Sequence, residues 1–288
     1  MTHDDLKGKK VLVTGSSSGI GAAAAVMFAQ QGCFVGVHYF ATKEGGEKTL
    51  ERVKAHSDGV LLGADVRDKE QVDRMIEDFV APAGGLDILV NNAGSLIDRQ
   101  PFETASLGYH EDVYATNCRS IFLATQAALP HLKKSKGNIV NVGSVAGHTG
   151  GGRGSGIYAA AKAAVATETI AMAMEFAPYG IRVNSVLPGF IETRFHERFS
   201  DAERRKKVAA RTPLGRNGTA EDVARAILFL ASEAASFITG NTSPSTADST
   251  CARRVLGSSA GDTPCGRDTL RFALGKILAR LRVCRPEP

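Results

Sequence analysis

Three side chains with complementary proton chemistry lie close together in the sequence. Tyr158 and Lys162 are four residues apart in Gly-Ile-Tyr-Ala-Ala-Ala-Lys, and Ser144 lies upstream in Asn-Val-Gly-Ser-Val-Ala-Gly. Positions i and i+4 share a face of a helix, so the ammonium of Lys162 is predicted to lie near the phenol of Tyr158. A nearby cation lowers the pKa of a tyrosine from its usual ~10 toward neutrality. Such a phenol can exchange a proton with a carbonyl oxygen.

A glycine-rich turn near the start of the chain offers a place to bind phosphate. A predicted buried strand, Lys10 to Thr14, runs into the turn 15–21, Gly-Ser-Ser-Ser-Gly-Ile-Gly, and then into the helical stretch Ala22 to Gln31. Glycines let the backbone approach a pyrophosphate, and a helix N-terminus offers free N–H groups and partial positive charge. The same residues also fit a tight strand-to-helix turn that binds nothing, so the turn alone leaves both interpretations open.

Short aliphatic runs alternate with longer helical stretches along the chain. Strands are predicted at Val11 to Thr14, Phe34 to Tyr39, Val60 to Ala64, Ile88 to Asn91, Asn138 to Val142 and Arg182 to Leu187, and helices at Lys43 to His56, Lys69 to Val80 and Leu107 to Lys134. This alternation predicts an α/β fold with a doubly wound parallel sheet and helices on both faces. Ligands then bind beyond the carboxyl ends of the strands.

Taken together, these residues resemble the short-chain dehydrogenase/reductase family in its NAD(P)-dependent one-domain form. The resemblance covers roughly Leu6 to Thr242 and implies a Rossmann-type domain over residues 1–242. It rests on motifs that occur in the family's order: the turn from Thr14 to Gly21, Asp65-Val66, Asn91-Asn92-Ala93-Gly94, Asn117, Ser144, Tyr158, Lys162, Pro188-Gly189 and Thr193. Runs around Ser144, Tyr158 and Pro188 are similar to those of 3-oxoacyl carrier-protein reductases, which favours a ketone or 3-ketoacyl reductase.

The resemblance implies a role for each matching residue. Tyr158 would donate a proton to the substrate oxygen, Ser144 would orient that oxygen, and Lys162 would lower the tyrosine pKa while holding the nicotinamide ribose. Asn117 would support a water that links Lys162 to solvent. The remaining cofactor contacts would be Gly15, Ser17, Ile20 and Gly21 at the pyrophosphate, Asp65 and Val66 at the adenine, Asn92 and Gly94 at the ribose, and Pro188, Gly189 and Thr193 at the nicotinamide amide. The cofactor would carry the hydride chemistry.

The choice of nicotinamide cofactor depends on the end of the second strand. An acidic residue there would accept hydrogen bonds from the adenosine ribose and repel a 2′-phosphate. Residues 35–43, Val-Gly-Val-His-Tyr-Phe-Ala-Thr-Lys, contain none. The sequence therefore favours NADP, with His38, Thr42 or Lys43 as phosphate contacts, although NAD remains open and Lys43 also fits a solvated lysine at a helix start.

Three segments near the site bear on the substrate, and each has two interpretations. Arg153, in a glycine-rich loop, could pair with an anionic substrate group or be an exposed arginine. The phenylalanines Phe190, Phe195 and Phe199 could wall an apolar pocket or form the packed face of a helix. The basic run 204–207 could steer a carrier protein or coenzyme A phosphates, or be a solvated helix face.

Composition excludes several other classes of protein. With 288 residues and 43% hydrophobic residues, the chain can bury a substantial core, and no apolar run approaches the ~20 residues of a membrane span. The first residues lack a signal-peptide pattern, so a cytoplasmic location is expected. Cys33 and Cys118 are interpreted as core thiols, neither metal ligands nor disulfide partners. Most of the net charge of +5 comes from the last 48 residues, so nucleic-acid binding is not indicated.

The tail 243–288 departs from the family pattern. The family continues through a strand ending Val-Asp-Gly-Gly, whereas residues 243–249 read Ser-Pro-Ser-Thr-Ala-Asp-Ser. GC-rich codons for these residues, read in another frame, encode Ala-Val-Asp-Gly-Gly-Gln, which indicates a frameshift near codon 242 or 243. Comparison of the coding DNA in its other frames tests this hypothesis. The last strand is then expected to be lost, because Pro244 is also a poor residue for an interior strand.

A rival interpretation treats the tail as selected. Apolar residues recur at helical spacing between Leu270 and Leu281 among arginines and lysine, as in a basic amphipathic helix that binds a partner or a membrane surface. Two functions therefore remain: a reductase acting on a small-molecule carbonyl or alcohol, and a catalytically weak cofactor-binding protein whose tail mediates an interaction. The family implies a homo-oligomer, which the altered tail puts in doubt.

Overall fold

The computed structural model describes residues 3–193, 195 and 199–242 of the chain. Six strands form one sheet: β1 (Lys10–Val13), β2 (Phe34–Tyr39), β3 (Gly59–Gly63), β4 (Ile88–Asn91), β5 (Asn138–Val142) and β6 (Arg182–Val186). All of their pairings are parallel, and the order in the sheet is β3-β2-β1-β4-β5-β6. This is the Rossmann-type order, so the predicted fold class is confirmed, and the strand order reverses between β1 and β4, where such sheets bind ligands.

Nine α-helices accompany the strands in the described part of the chain. They are α1 (Gly19–Gln30), α2 (Lys43–Lys54), α3 (Lys69–Ala83), α4 (Leu107–Tyr114), α5 (Ser120–Ser135), α6 (Ala146–Thr149), α7 (Gly156–Phe176), α8 (Ala202–Arg211) and α9 (Ala220–Ala231). None of the helices in these ranges is long and apolar enough to cross a membrane.

Each strand divides its side chains between two apolar cores. In β1, Val11 and Val13 face a core that includes Phe28 of α1 and Ile227 of α9. Leu12, between them, faces a core built with α3, α5 and α7. The strands are aliphatic on both faces because helices cover both faces, and this two-sided burial fixes the register of the sheet.

The predicted helix from Leu107 to Lys134 is interrupted. A π-helical turn, Ala115–Arg119, separates α4 from α5 and contains Asn117. Such a turn inserts an extra residue into the helix and is frequent at functional sites. Tyr114 and Ser120, which flank the turn, have helical φ and ψ, so the chain passes from α4 to α5 without a loop.

The end of the described chain lies beside β6. Gly240 donates its N–H to Val183 O (2.7 Å), and Ser185 donates its N–H to Asn241 O (2.8 Å). The guanidinium of Arg182 donates to the carbonyls of Leu230 (2.9 Å), Ser232 (3.2 Å) and Ile238 (3.4 Å). These bonds join β6 to the C-terminal end of α9 and to the segment that follows it. The expected loss of the last strand concerns residues 243 onward, outside the described residues.

Candidate active site

The predicted proton-transfer side chains meet at the carboxyl end of β5. Ser144 follows that strand, and Tyr158 and Lys162 lie on the first turns of α7. The Tyr158 hydroxyl is hydrogen-bonded to the Ser144 side chain, whose oxygen also accepts the Ala146 N–H (3.1 Å). Lys162 is only 3% exposed, and its Nζ lies 5.9 Å from the centre of the Tyr158 ring. The structure therefore brings the three side chains together.

The pKa of Tyr158 differs from the sequence expectation. Desolvation raises it to about 12, and the hydrogen bond from Ser144 opposes the rise. The helical spacing of the two residues predicted a lowered pKa for Tyr158, with the Lys162 ammonium beside its phenol. In the structure, Lys162 Nζ instead donates to the carbonyl of Val142 (2.8 Å), and burial lowers the pKa of this lysine to about 8. The prediction of a lowered tyrosine pKa is therefore wrong for this structure.

Asn117 fixes the loop that follows β4. Its Nδ2 donates to Ser95 O (2.7 Å) and Val113 O (2.9 Å), and its Oδ1 accepts the Ser95 N–H (3.1 Å). A β-carbon on Gly94 would lie 2.8 Å from Asn117 Oδ1 and 3.1 Å from Lys162 Nζ. Gly94 is thus required for the loop to pass over Lys162. Both N–H groups of the Asn117 amide are used in these contacts, and the expected water beside this residue stays a prediction.

The glycine turn is packed too tightly for side chains at two positions. Gly15 has a φ of +64°, and a β-carbon there would lie 2.9 Å from Ala93 Cα. A β-carbon on Gly21 would lie 2.5 Å from both Gly15 O and Asn92 Nδ2. Asn92 Nδ2 donates to Thr14 O (2.9 Å) and Gly15 O (3.0 Å), so this predicted ribose contact uses its side chain to hold the turn.

The other predicted cofactor contacts lie on the same rim. Thr193 lies against Gly19, since a β-carbon on that glycine would be 3.4 Å from Thr193 Cγ2. Pro188 follows β6, and its carbonyl accepts the N–H of Val145 (3.1 Å). Asp65, which follows β3, forms a two-pronged ion pair with Arg67 (2.7 Å at the shortest). This pair lowers the pKa of Asp65. The remaining predicted contacts are Ser17, Ile20, Val66 and Gly189, which lie in the segments that follow β1, β3 and β6.

The turn fits a dinucleotide phosphate on structural grounds. The glycines leave backbone exposed where a β-carbon would otherwise stand. The N-cap residue of α1, Ser18, makes no side-chain capping bond, so the first N–H groups of this helix remain available to an anion. The residues present therefore suit the cofactor that the sequence predicts.

His38 was not identified from sequence as part of this turn. Its Nδ1 accepts the Gly15 N–H (2.8 Å), its Nε2–H donates to Ala64 O (3.0 Å), and the side chain is 1% exposed. Burial lowers its pKa, so the ring is neutral. The interpretation of His38 as a phosphate contact is wrong, because both ring nitrogens are occupied inside the protein. The residues around a histidine at the end of a strand do not show whether its ring is buried in the protein or faces solvent.

Replacement of His38 by Ala is expected to raise the KM for the cofactor about tenfold with little change in kcat. The substitution leaves the Gly15 N–H without its acceptor, which costs ~1–3 kcal/mol for a buried donor. Initial rates at varied cofactor concentration measure the effect. His38→Asn offers an oxygen acceptor near the position of Nδ1 and should recover most of the loss. Equal losses in both variants would show that ring volume, not the hydrogen bond, matters.

The same contact predicts a pH dependence. The folded pKa of His38 lies below its usual 6.5, so its stabilising contribution is complete above that value and declines as the pH falls. Protonation would make Nδ1 a donor facing the Gly15 N–H. Cofactor KM in the wild type should therefore rise as the pH falls below 6.5 toward the lowered pKa of His38, and more steeply than in His38→Asn. Parallel profiles for the two proteins would contradict this role.

The two cysteines of the described region are free thiols. Cys33 is buried, and Cys118 donates its S–H to Glu168 Oε1 (3.0 Å). Desolvation raises the pKa of each thiol to about 12, so both are poor nucleophiles and metal ligands. The interpretation of these residues as unreactive core thiols is consistent with this environment.

Comparison with known proteins places this site in a family. The family model described as Enoyl-(Acyl carrier protein) reductase matches residues 15–245. A 3-oxoacyl-[acyl-carrier-protein] reductase of Staphylococcus aureus is 39% identical over 236 residues, which cover 81% of this chain and 95% of that protein. The 3β-hydroxysteroid dehydrogenase 1 of Eggerthella lenta is 38% identical over 244 residues, which cover 83% and 93%.

A solved structure of a reductase has a similar fold. The NADH-dependent reductase A1-R′ responsible for alginate metabolism superimposes with a TM-score of 0.76 at 34% identity, covering 83% of this chain and 95% of that one. The family model and these relatives show an oxidoreductase that uses NAD(P) and acts on CH–OH groups. The chain belongs to the short-chain dehydrogenase/reductase family. These relatives do not favour the rival interpretation of a catalytically weak binding protein.

Proposed function

We propose that this protein is an NADP(H)-dependent reductase that converts a ketone or 3-ketoacyl group to the alcohol, with Tyr158 as proton donor. The observation that carries the proposal is the cluster of Ser144, Tyr158 and Lys162 on the same rim as the glycine turn. A protein that only bound the dinucleotide would have no need of this hydrogen-bonded phenol.

The protein's own residues divide the work of proton transfer. Ser144 is already hydrogen-bonded to Tyr158, so a carbonyl oxygen placed between the two hydroxyls would accept a bond from each. Tyr158 then donates its proton to that oxygen as the alcohol forms. Lys162 is the cation that can offset the raised pKa of the phenol, provided that its Nζ exchanges the Val142 carbonyl for a position nearer to the hydroxyl.

The cofactor supplies the hydride when it is bound. The glycine turn and the first N–H groups of α1 would hold its pyrophosphate, with Gly15, Ser17, Ile20 and Gly21 as contacts. Asp65 and Val66 would hold the adenine, and Asn92 and Gly94 would lie on the ribose side. Lys162, with Tyr158 beside it, would hold the ribose of the nicotinamide, and Pro188, Gly189 and Thr193 would hold its amide.

The charges near the end of β2 support NADP over NAD. Residues 39–43 carry no carboxylate, and Lys43 begins α2 at this rim. A cavity of about 310 Å³ behind the turn is lined by Ser17, Ser18, Lys48 and Arg52, with Glu221 as its acidic member. The carboxylate that would accept hydrogen bonds from a free 2′-hydroxyl and repel a 2′-phosphate is missing among residues 39–43, which supports a 2′-phosphate at this position. The A1-R′ relative is an NADH-dependent enzyme by its description, so family likeness does not make this choice.

An apolar wall beside Tyr158 supports a substrate with a hydrocarbon segment. The Phe195 ring lies 6.0 Å from the Tyr158 ring, and the Phe199 ring lies 5.1 Å from that of Phe195. Of the two interpretations of these phenylalanines, a wall of the substrate site fits better. The relatives' names, an acyl carrier-protein reductase and a hydroxysteroid dehydrogenase, both denote substrates with large apolar parts.

Two further parts of the proposal concern the rest of the molecule. We propose that residues 1–242 form the catalytic domain and that the tail 243–288 is out of frame, as the sequence predicts; the tail lies outside the described residues. A homo-oligomer is expected from the family, and chromatography of the full chain with light scattering would measure its mass.

The proposed function is tested by cofactor binding followed by turnover. NADPH at ~100 times its dissociation constant should stabilise the folded chain by ~2.7 kcal/mol. A thermal melt with NADPH or NADH therefore reports binding, and NADPH should raise the midpoint more. Oxidation of NADPH by acetoacetyl-N-acetylcysteamine, a neutral 3-ketoacyl thioester, then reports the reaction. Equal shifts would reject the cofactor choice, and binding without turnover of this thioester or of simple ketones would reject the reductase.

A further inference from the structure

Three arginines from separate segments meet at the mouth of the site. Arg99 lies in the loop after β4, Arg153 in the loop before α7, and Arg204 in the first turn of α8. Arg99 Nη1 donates to Arg153 O (3.2 Å), and a β-carbon on Gly152 would lie 2.9 Å from Arg204 Nη2. Arg153 and Arg204 are exposed and Arg99 is half-buried. Arg99, Arg153 and Arg204 together are named the arginine mouth.

The arginine mouth adjoins the apolar wall. Arg99 Nε and Nη2 donate to the carbonyl of Phe199 (3.3 and 3.2 Å). The Phe199 ring packs edge-on against Phe195, whose ring contacts Tyr158. A continuous path thus leads from the Tyr158 phenol along two aromatic rings to the Arg99 guanidinium.

The positive charges are not balanced within the described ranges. No ion pair there involves Arg99, Arg153 or Arg204. Two carboxylates at the start of α8 have other uses: Asp201 caps the helix by accepting the Arg204 N–H (2.7 Å), and Glu203 pairs with Lys207. Desolvation and the charge of Arg204 both lower the pKa of Arg99, as expected where like charges approach. Such a cluster is stabilised when an anion binds to it.

We propose that Arg99, Arg153 and Arg204 form a subsite for an anionic group, carboxylate or phosphate, at the far end of the carbonyl substrate. This inference rests on the proposed function, because it assigns the substrate class of the same site: a carbonyl at Tyr158, an apolar segment along Phe195 and Phe199, and a negative end group. Guanidinium groups suit this task because they bind both oxyanions through paired N–H donors.

Arg204 is the informative residue for a test. Arg99 also joins two loops through backbone carbonyls, so its removal would disturb the site in any case. The Arg204 side chain is exposed and lies against the glycine-rich loop at Gly152. Lys206 provides a matched control, since Lys206→Gln removes the same charge from an exposed position on the same helix.

The test compares pairs of charged and neutral ligands. Calorimetry with saturating NADP⁺, which cannot reduce a ketone, measures binding of 7-oxooctanoate and of its methyl ester. A second pair, acetoacetyl-coenzyme A and acetoacetyl-N-acetylcysteamine, probes phosphate. We expect the anion of at least one pair to bind about tenfold or more tightly than its neutral partner, a gap that Arg204→Gln abolishes and Lys206→Gln retains. The pair that shows the gap identifies carboxylate or phosphate as the end group.

The inference and the proposed function fail in different ways. If no pair shows an anion preference, or if Lys206→Gln abolishes it as fully as Arg204→Gln, the subsite is rejected. Binding in these experiments does not require turnover. An Arg204-dependent gap without any reduction by NADPH would therefore support the subsite and reject the reductase, whereas turnover of the neutral thioester without a gap would do the reverse.

Discussion

Tyr158→Phe is expected to lower kcat by about 10²–10⁴-fold while leaving cofactor binding nearly unchanged. The substitution removes one hydroxyl and keeps the ring that contacts Phe195, so the shape of the site is retained. What is lost is the proton for the substrate oxygen and the hydrogen bond with Ser144. Initial rates with NADPH and a neutral ketoacyl thioester measure the loss, and a thermal melt with NADPH measures cofactor binding.

A second phenol provides the control for this prediction. Tyr179 is exposed, and its ring contacts the ammonium of Lys133 at 3.7 Å. Tyr179→Phe keeps that ring contact and should leave kcat unchanged. A Tyr158→Phe protein with more than a tenth of the wild-type kcat would mean that the proton comes from another group. Loss of the NADPH shift in the melt would instead show that the hydroxyl is required for the structure of the cofactor site.

Gly21→Ala is expected to reduce cofactor affinity by at least about tenfold and to destabilise the protein by about 1–3 kcal/mol. The new β-carbon would lie 2.5 Å from the backbone oxygen of Gly15, and backbone cannot rotate away as a flexible side chain can. The turn must open, and Asn92 must give up the bonds that hold it. Thermal melts without and with NADPH measure both effects.

Gly108 supplies the matched substitution. It lies in α4 with no φ in the left-handed region, and a β-carbon there would meet no atom within 4 Å. Gly108→Ala should therefore be neutral or slightly stabilising, since alanine favours a helix by up to ~1 kcal/mol over glycine. Similar losses in Gly21→Ala and Gly108→Ala would indicate that the glycine turn is no more tightly packed than an open helix surface.

Much of the fold could be predicted because its signals are local. The aliphatic runs at 34–39, 88–91 and 138–142 coincide with β2, β4 and β5 at both ends. The glycine spacing of residues 15–21 is enough to predict a turn between a strand and a helix. The Tyr158 and Lys162 pair needed only helical spacing to share a face. The sequence is therefore sufficient to predict features that depend only on contacts between residues close together in the chain.

The features that could not be predicted depend on distant partners. His38 turns inward because Gly15 and Ala64 offer it an N–H and a carbonyl from two other segments. Lys162 binds the Val142 carbonyl, although the spacing on α7 pointed it at Tyr158. The π-turn around Asn117 arises where the loop at Ser95 must be held. Residue types and spacing carry no signal for these contacts.

The hydrogen bonds of Arg182 affect how well the fold can tolerate sequence changes after residue 242. The last carbonyls of a helix usually need a partner from outside it. Arg182 satisfies the carbonyls of Leu230, Ser232 and Ile238 from the edge strand itself, and Asn184 Nδ2 adds a second donor to Ile238 O (2.8 Å). The junction between α9 and the sheet is therefore closed by side chains of β6. Sequence changes after residue 242 can therefore alter what covers β6 while these bonds still hold α9, the helix beside the glycine turn, against the sheet.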